Sequence, residues 1–531
     1  MTSSRWRRGL LRLALVSACV SVLTDSPAGA ARAQRPSPPA GPPPGYDYRR
    51  EAGRAAAMDL DNLDAATLRQ VFATRRERAL RAIPAGAMIV FSVEQAQPRR
   101  LEFQVPHSEN HDFIYLTGVE GLDSYDSALL LLPRSGVAPL GDTDNPDRDW
   151  VVLYTSADAD EMKQMTGIDD VRPYAKLEED VSVAMTDYRD WRVTQVRRWP
   201  LPAALAKRWG RDHKVLYLNY PRFLRLGMDE PARLGVFARI GRFSPEMELR
   251  DAADTLDPIR MFHDAYSLAS LRRAVAITRE GLVEGLRAVR PGLSETEVME
   301  IIDFVYRYRG AYLGFPTAVR RNPPTGRPPG RQIPEGFIQF VPRSGQSVLA
   351  SGDLVHVDTG ASFNHHSADI QRNVPVDGTF TPEQRNLYEI ALNVQKAVIS
   401  RVKPGVTWWE LHNLAVQMLR DAGGYDRYYT YGIGHFIGME VHDEGDYSRP
   451  LQPGMALSIE QGVAPPNGPR VAFEDDVIVT ADGHDWISQS IPIEVDDVML
   501  MMKSPSSFEA FTRKEALSTN PPASVPVYRR R

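Results

Sequence analysis

Asp358, Asp369, His435, Glu460 and Glu474 all fall in the last third of a 531-residue chain. Four carboxylates and one imidazole offer the oxygen and nitrogen donors that suit a pair of hard or borderline divalent ions, manganese first, with zinc or cobalt as alternatives. No structural role calls for this combination, whereas two neighbouring ions can activate water and polarise a carbonyl. The chemistry indicated is metal-assisted hydrolysis.

These residues need elements that bring them together. Leu354 to Asp358 (LVHVD) reads as a buried strand, and Ser367 to Val376 (SADIQRNVPV) as its returning partner after a turn at Phe363 to His366. Such a hairpin joins Asp358 to Asp369 across 11 positions. A lone aspartate in a strand more often caps a turn or faces solvent, so the pair carries more weight than either residue. His435 stands in GIGHFIG, where glycine lets the backbone approach a ligand closely, and His442 follows in VHDEG. Glu460 ends the apolar run from Met455 after a Pro453-Gly454 turn, and Glu474 opens Glu474-Asp475-Asp476 before the strand Val477 to Val479. A carboxylate closing a buried strand is costly unless it is paired or bound to a metal.

The frame is that of a globular protein too long for one core, with 43% hydrophobic and 25% charged residues. A formal charge of −5 provides no basic field, which disfavours a nucleic-acid partner. At the N-terminus, Arg5, Arg7, Arg8 and Arg12 precede an apolar stretch from Leu13 to Leu23 and small residues ending at Ala30 or Ala33. Residues 1–33 therefore read as an export signal, which places the protein in the periplasm or outside the cell. Its apolar core is shorter than the roughly 20 residues of a spanning helix, and no membrane span is expected. The only cysteine, Cys19, lies in VSAC, which resembles a lipoprotein cleavage box and offers a lipid anchor as the alternative. Cleavage after Ala30 or Ala33 leaves no cysteine and no disulfide.

Residues 34–55 follow as a Pro-rich linker, with folding expected to begin near Ala55. Residues 56–255, with apolar runs at Ala87 to Phe91, Ala128 to Leu132 and Trp150 to Tyr154, read as a mixed α/β domain. A second domain, 256–503, opens with helical spacing from Leu268 through Leu271, Val275, Leu282 and Leu286. Ser294 with Glu297, and Thr381-Pro382-Glu383-Gln384, mark further helix starts. Arg320 to Gly336 reads as a surface loop beside the site, and 504–531 as a loose tail.

Taken in order, VDTG at Asp358, ADIQR at Asp369, GHFIG at His435, VHDEG at His442, PGMALSIE at Glu460 and FEDD at Glu474 resemble the metallopeptidases of the aminopeptidase P, prolidase and methionine aminopeptidase group. Phe103 to Gly118 (FQVPHSENHDFIYLTG), with Arg75 to Phe91, resembles the N-terminal domain of the aminopeptidase P branch. The resemblance covers about residues 70 to 500. It implies an α/β N-terminal domain followed by an α+β "pita-bread" catalytic domain with a curved antiparallel sheet. It also implies that Asp358 binds one metal, that Asp369 and Glu474 bridge both, and that His435 and Glu460 complete the other. A metal-bridging hydroxide would attack the peptide carbon, Glu460 would handle the proton, and His442 would hydrogen-bond the oxyanion. The implied activity is an exported dinuclear aminopeptidase acting on a peptide substrate, with Xaa-Pro peptides as the implied class and homo-oligomerisation as a property of relatives.

Four departures fall around the ligands. Ala472 stands where the branch usually carries an arginine, Val341 and Tyr431 where histidine is usual or frequent, and Gln461 where proline usually follows the glutamate. They are expected to leave the metals intact and to alter what touches substrate. The alternatives are a prolidase-like Xaa-Pro dipeptidase and a catalytically weak metal- or peptide-binding relative. His442 to Pro453 is short, with Arg449 its only arginine, so the arginine-bearing insertion of prolidases is not evident.

Overall fold

The computed structural model describes residues 41–92, 110–120, 126–134, 148–185, 200–211, 214–219, 242, 245–324, 347–429, 432–466 and 468–509. Its N-terminal half runs through helices α1 (Tyr48–Ala56) and α2 (Ala65–Ala82), strand β1 (Ala87–Phe91), helix α3 (His111–Thr117), and strands β2 (Ala128–Leu132) and β3 (Trp150–Thr155). It continues with α4 (Ala159–Thr166), β4 (Asp170–Pro173), α5 (Lys176–Met185), α6 (Pro200–Arg211), β5 (Val215–Leu218), β6 (Glu248–Asp251) and α7 (Ala253–Arg260). The three apolar runs expected as strands are β1, β2 and β3. They lie in a six-stranded sheet of order β4-β3-β2-β1-β5-β6. β2 is antiparallel to β1 and β3, and the other pairings are parallel. Continuous apolar strands are what a sheet covered on both faces needs. Ile89 and Phe91 pack on Leu205 and Trp209 of α6, while Met88 and Val90 meet Leu80 of α2 and Phe113 of α3.

The second half comprises α8 (Ala265–Ala288), α9 (Glu295–Tyr308), β7 (Tyr312–Leu313), β8 (Ala318–Asn322), β9 (Leu354–Thr359), β10 (Ala361–Phe363), β11 (His366–Ser367) and β12 (Ile370–Pro375). It ends with α10 (Pro382–Arg401), α11 (Trp408–Asp421), β13 (Gly434–Phe436), β14 (Ala456–Val463), β15 (Val471–Val479), β16 (His484–Trp486) and α12 (Val495–Met502). Both expected capping boxes form: Ser294 with Glu297 opens α9, and Thr381 with Gln384 opens α10 behind Pro382. The order β13-β14-β15-β12-β9-β8, with β16 on β15, makes a seven-stranded sheet that is antiparallel throughout. Leu457, Ile459 and Phe473 pack against Tyr388, Ala391 and Val398 of α10, and Val355 and Val357 against Leu286 of α8 and Ile302 of α9. The hairpin turn lies where expected, with Asn364 and His365 at φ values of 50° and 57°.

Three boundaries differ from expectation. The linker does not extend to Ala55, because α1 begins at Tyr48 under an Asp47 cap and buries Glu51. That carboxylate accepts from Arg78 of α2 and from the Ala265 backbone N–H at the start of α8. The loop expected from Arg320 starts later, since Arg320 to Asn322 pair with His356 to Leu354 as the end of β8. Residues 504–509 are not loose: Ser506 and Ser507 hydrogen-bond Glu284, and the Phe508 ring meets Phe304 edge-on. The expected signal at 1–33, Cys19, Val341, Tyr431 and the tail beyond 509 lie outside the described residues. No described helix is long and apolar enough to cross a membrane.

Candidate metal centre

Antiparallel pairing places the acidic residues in one line across the sheet. Asp358 on β9 stands opposite Gln371 on β12, Gln371 opposite Glu474 on β15, and Glu474 opposite Glu460 on β14. Directly opposed residues point to the same face at about 4.5–5.5 Å between Cβ atoms, so this one rung gathers three carboxylates. The neighbouring rung adds Asp476 opposite Ser458 and Ser458 opposite His435. Asp369, two residues before Gln371 and so on the same face, gives its backbone N–H to Asp476 Oδ2 at 3.1 Å.

Donor atoms from Asp358, Asp369 and Glu474 lie within 4.8 Å of one another, as do those from His435, Glu460 and Glu474, and those from Asp369, His435 and His442. All six expected site residues are thus brought together, with Asp369, His435 and Glu474 each shared by two groups. His442 is exposed at the rim, its ring centroid 4.0 Å from that of His435. Gly434 makes the approach of β13 possible. It sits at φ 130°, and a Cβ there would meet the Ser458 carbonyl oxygen at 2.0 Å.

The electrostatics are those of a site short of positive charge. Burial, followed by the charge of Glu474, pushes the Glu460 carboxyl up to about 8, and the same two causes hold Asp369 well above the carboxylate range. Burial also acts to raise Glu474, but the His435 hydrogen bond and charge and the Ser458 and Gln371 donors outweigh it and lower its pKa. Burial pulls His435 down, and its contacts with Asp369 (3.5 Å) and Glu474 (3.3 Å) more than reverse this. His435 Nδ1 lies 3.0 Å from the Phe436 carbonyl. Donation to that oxygen leaves Nε2 as the ligating atom.

The residues fit divalent ions. Asp369 Oδ1 is buried with no hydrogen-bond partner among the described residues, which is costly for a carboxylate oxygen unless a cation meets it. Around bound cations, four carboxylates in their ionised form with a neutral imidazole would carry a charge that two divalent ions balance.

Three supporting residues escaped sequence reading. Gln371 donates its amide N–H groups to Glu460 and Glu474, Ser458 Oγ donates to Glu474 at 2.6 Å, and Asp476 holds the Asp369 backbone. Each lies two positions from an expected ligand, and that period-two spacing was the available signal. Asp475, on the opposite face, instead forms a buried ion pair with Arg372 at 2.7 Å, backed by Trp486 and Ser488.

The two departures among the described residues, Gln461 and Ala472, fall on opposite faces. Gln461 does not alter the substrate side: its side chain points to the helix layer and donates to the Ala391 carbonyl of α10 at 2.6 Å. Ala472 is on the site face, one rung from Glu474 and opposite Gly462. The same rung carries Asn373, which donates to the Ala472 carbonyl, and His356, whose Nδ1 is 3.2 Å from Asn373 Oδ1.

Comparison with known proteins agrees with this architecture. Residues 269–481 match metallopeptidase family M24, and residues 72–193 match the aminopeptidase P N-terminal domain. Among curated proteins, the chain is 28% identical over 279 residues to Xaa-Pro aminopeptidase 3 of Rattus norvegicus and 27% identical over 241 residues to an Xaa-Pro dipeptidase of Pyrococcus furiosus. These alignments take in 47% and 44% of the chain and 53% and 65% of the relatives' own lengths, less than two thirds in each. The solved structure of proline aminopeptidase P II from Yersinia pestis superposes with a TM-score of 0.63 at 23% identity, over 82% of this chain and 99% of that one. That likeness shows the fold, an α/β N-terminal domain followed by a pita-bread domain with a curved antiparallel sheet. Both parts are matched in the same order, which supports a place in the aminopeptidase P branch of metallopeptidase family M24.

Proposed function

We propose that the protein is an aminopeptidase that holds two divalent ions on Asp358, Asp369, His435, Glu460 and Glu474 and releases the first residue of a peptide. The observation that carries this reading is the single rung from Asp358 through Glu474 to Glu460, flanked by Asp369 and His435. When bound, the ions supply water activation near neutral pH and polarisation of the scissile carbonyl. Glu460, held by the Gln371 amide, would accept a proton from the attacking water and return one to the leaving nitrogen. Gln371 holds Glu460 and Glu474 in place, and Ser458 fixes the second Glu474 oxygen. His442, at the rim beside His435, donates to the oxygen that becomes negative as the carbonyl carbon turns tetrahedral.

Manganese is the proposed metal and Xaa-Pro peptides the proposed substrates, on the strength of the hard donor set and the family. The basic and apolar N-terminus supports export to the periplasm or beyond. The testing assay uses chelated protein reloaded with manganese, zinc or cobalt on Xaa-Pro-Yaa, Xaa-Ala-Yaa and Xaa-Pro peptides. Release of Xaa from the proline tripeptides supports the reading, and cleavage of dipeptides alone would move it to a prolidase. Metal binding without turnover on any peptide would favour the weak relative that Ala472 suggests.

A further inference from the structure

His442 sits on a loop that the N-terminal half grips from both sides. Its neighbour Asp443 accepts a hydrogen bond from Arg260 Nη2, while Arg260 Nη1 donates to Asp112 Oδ1 at 2.7 Å. Arg260 ends α7, at the join of the two halves, and Asp112 lies in the first turn of α3. The preceding residue of α3, His111, places Nδ1 3.4 Å from Glu440 Oε1. Of two adjacent residues of one helix, His111 therefore meets Glu440 directly and Asp112 reaches Asp443 through Arg260, and positions 440 and 443 bracket His442.

The grip continues to the metal ligands through backbone. Asp443 Oδ2 accepts the Met439 N–H at 3.0 Å, and the Asp443 N–H donates to the Phe436 carbonyl at 3.0 Å, on the strand that carries His435. The loop closes tightly on this carboxylate, since a Cβ on Gly438 would lie 2.1 Å from Asp443 Oδ2. Arg260, Asp112 and Asp443 are all buried. A guanidinium forked between two desolvated carboxylates gives directional bonds that a point charge cannot reproduce.

We propose that Arg260, with Asp112 and His111 of α3, is a positioning device that sets the His442 ring against the reacting carbonyl. It touches neither metal nor substrate and acts through His442, so this inference rests on the oxyanion-donor reading of that histidine. In Arg260→Met, amides of residues 438–445 should exchange with deuterium at least about tenfold faster, with the sheet cores unchanged. In the same variant kcat on an Xaa-Pro-Yaa peptide should fall on the order of 100-fold while KM stays within about threefold. Against a His442→Ala background the same substitution should cost nothing further. Arg260→Lys, which keeps the charge and loses the fork, carries the test if Arg260→Met does not fold. Unchanged loop exchange, or an equal loss of kcat with and without His442, would overturn the proposal. If the wild-type protein turns over no peptide, the functional reading fails, and loop exchange alone still decides whether the grip exists.

Discussion

Glu460 and Glu474 stand directly opposite each other on β14 and β15, and Gln371 on the next strand donates to both carboxylates. Two acids at this spacing in a buried site repel unless something positive lies between them. A bound cation would relieve that repulsion.

Gln371→Leu should leave the sheet folded and loosen both glutamates. Outer contacts of this kind commonly change metal affinity or activity by about 10- to 100-fold. Competition with a fluorescent chelator should show weaker metal binding by that order, with the far-ultraviolet spectrum unchanged. Wild-type affinity in this variant would remove Gln371 from the account.

Stability should depend on pH in opposite ways with and without metal. The Glu460 pKa rises from 4.5 in the unfolded reference to about 8 in the folded, metal-free site, so between these values the native state holds more protons. Its contribution is therefore present below the unfolded pKa and is lost as pH rises through the folded value. The melting temperature of chelated protein should fall from pH 5 to pH 8, and the gain on adding manganese should grow over the same range. A metal-induced gain that shrinks with pH would contradict this.

Asp475 and Glu474 should fail differently although they are adjacent. Asp475→Ala strips a partner from buried Arg372, and breaking a buried pair costs about 3–5 kcal/mol. Thermal melting should show a large loss of stability, with metal binding kept in the folded fraction. Glu474→Gln should keep most of the stability and lose metal, as read by elemental analysis after gel filtration. Metal loss in the first variant and not in the second would reverse the assignment of faces.

Much of this site was legible because carboxylates and a histidine on apolar strands have few other reasons to be there. Asp358 and Asp369 could be paired from a hairpin, and their neighbours carried the family resemblance. For Gln371 and Ser458 the alternation with Asp369 and Glu460 indicates the face, whereas the partner, Glu474, lies more than 10 positions away and was not legible. The face of Gln461 follows from its alternation with Glu460, whereas the acceptor it finds, Ala391, is set by packing against α10. Helix α1 was missed because its apolar stripe is short, with Tyr48, Ala52 and Ala55 on Leu268 and Leu271 of α8, and its main anchor is the charged Glu51, which bonds Arg78 and the Ala265 N–H. The mixed sheet of the N-terminal half was easier, its strands being continuous apolar runs.

The proposed function requires this rung of carboxylates to hold two metals for peptide hydrolysis. Its most direct measurement is the release of free Xaa from an Xaa-Pro-Yaa peptide as chelated protein is titrated with manganese under tight-binding conditions. The expected result is activity that is absent without metal, reaches its plateau near two equivalents, and is abolished by Glu460→Gln. Full turnover in the chelated protein, or none with both metal equivalents bound, would contradict it.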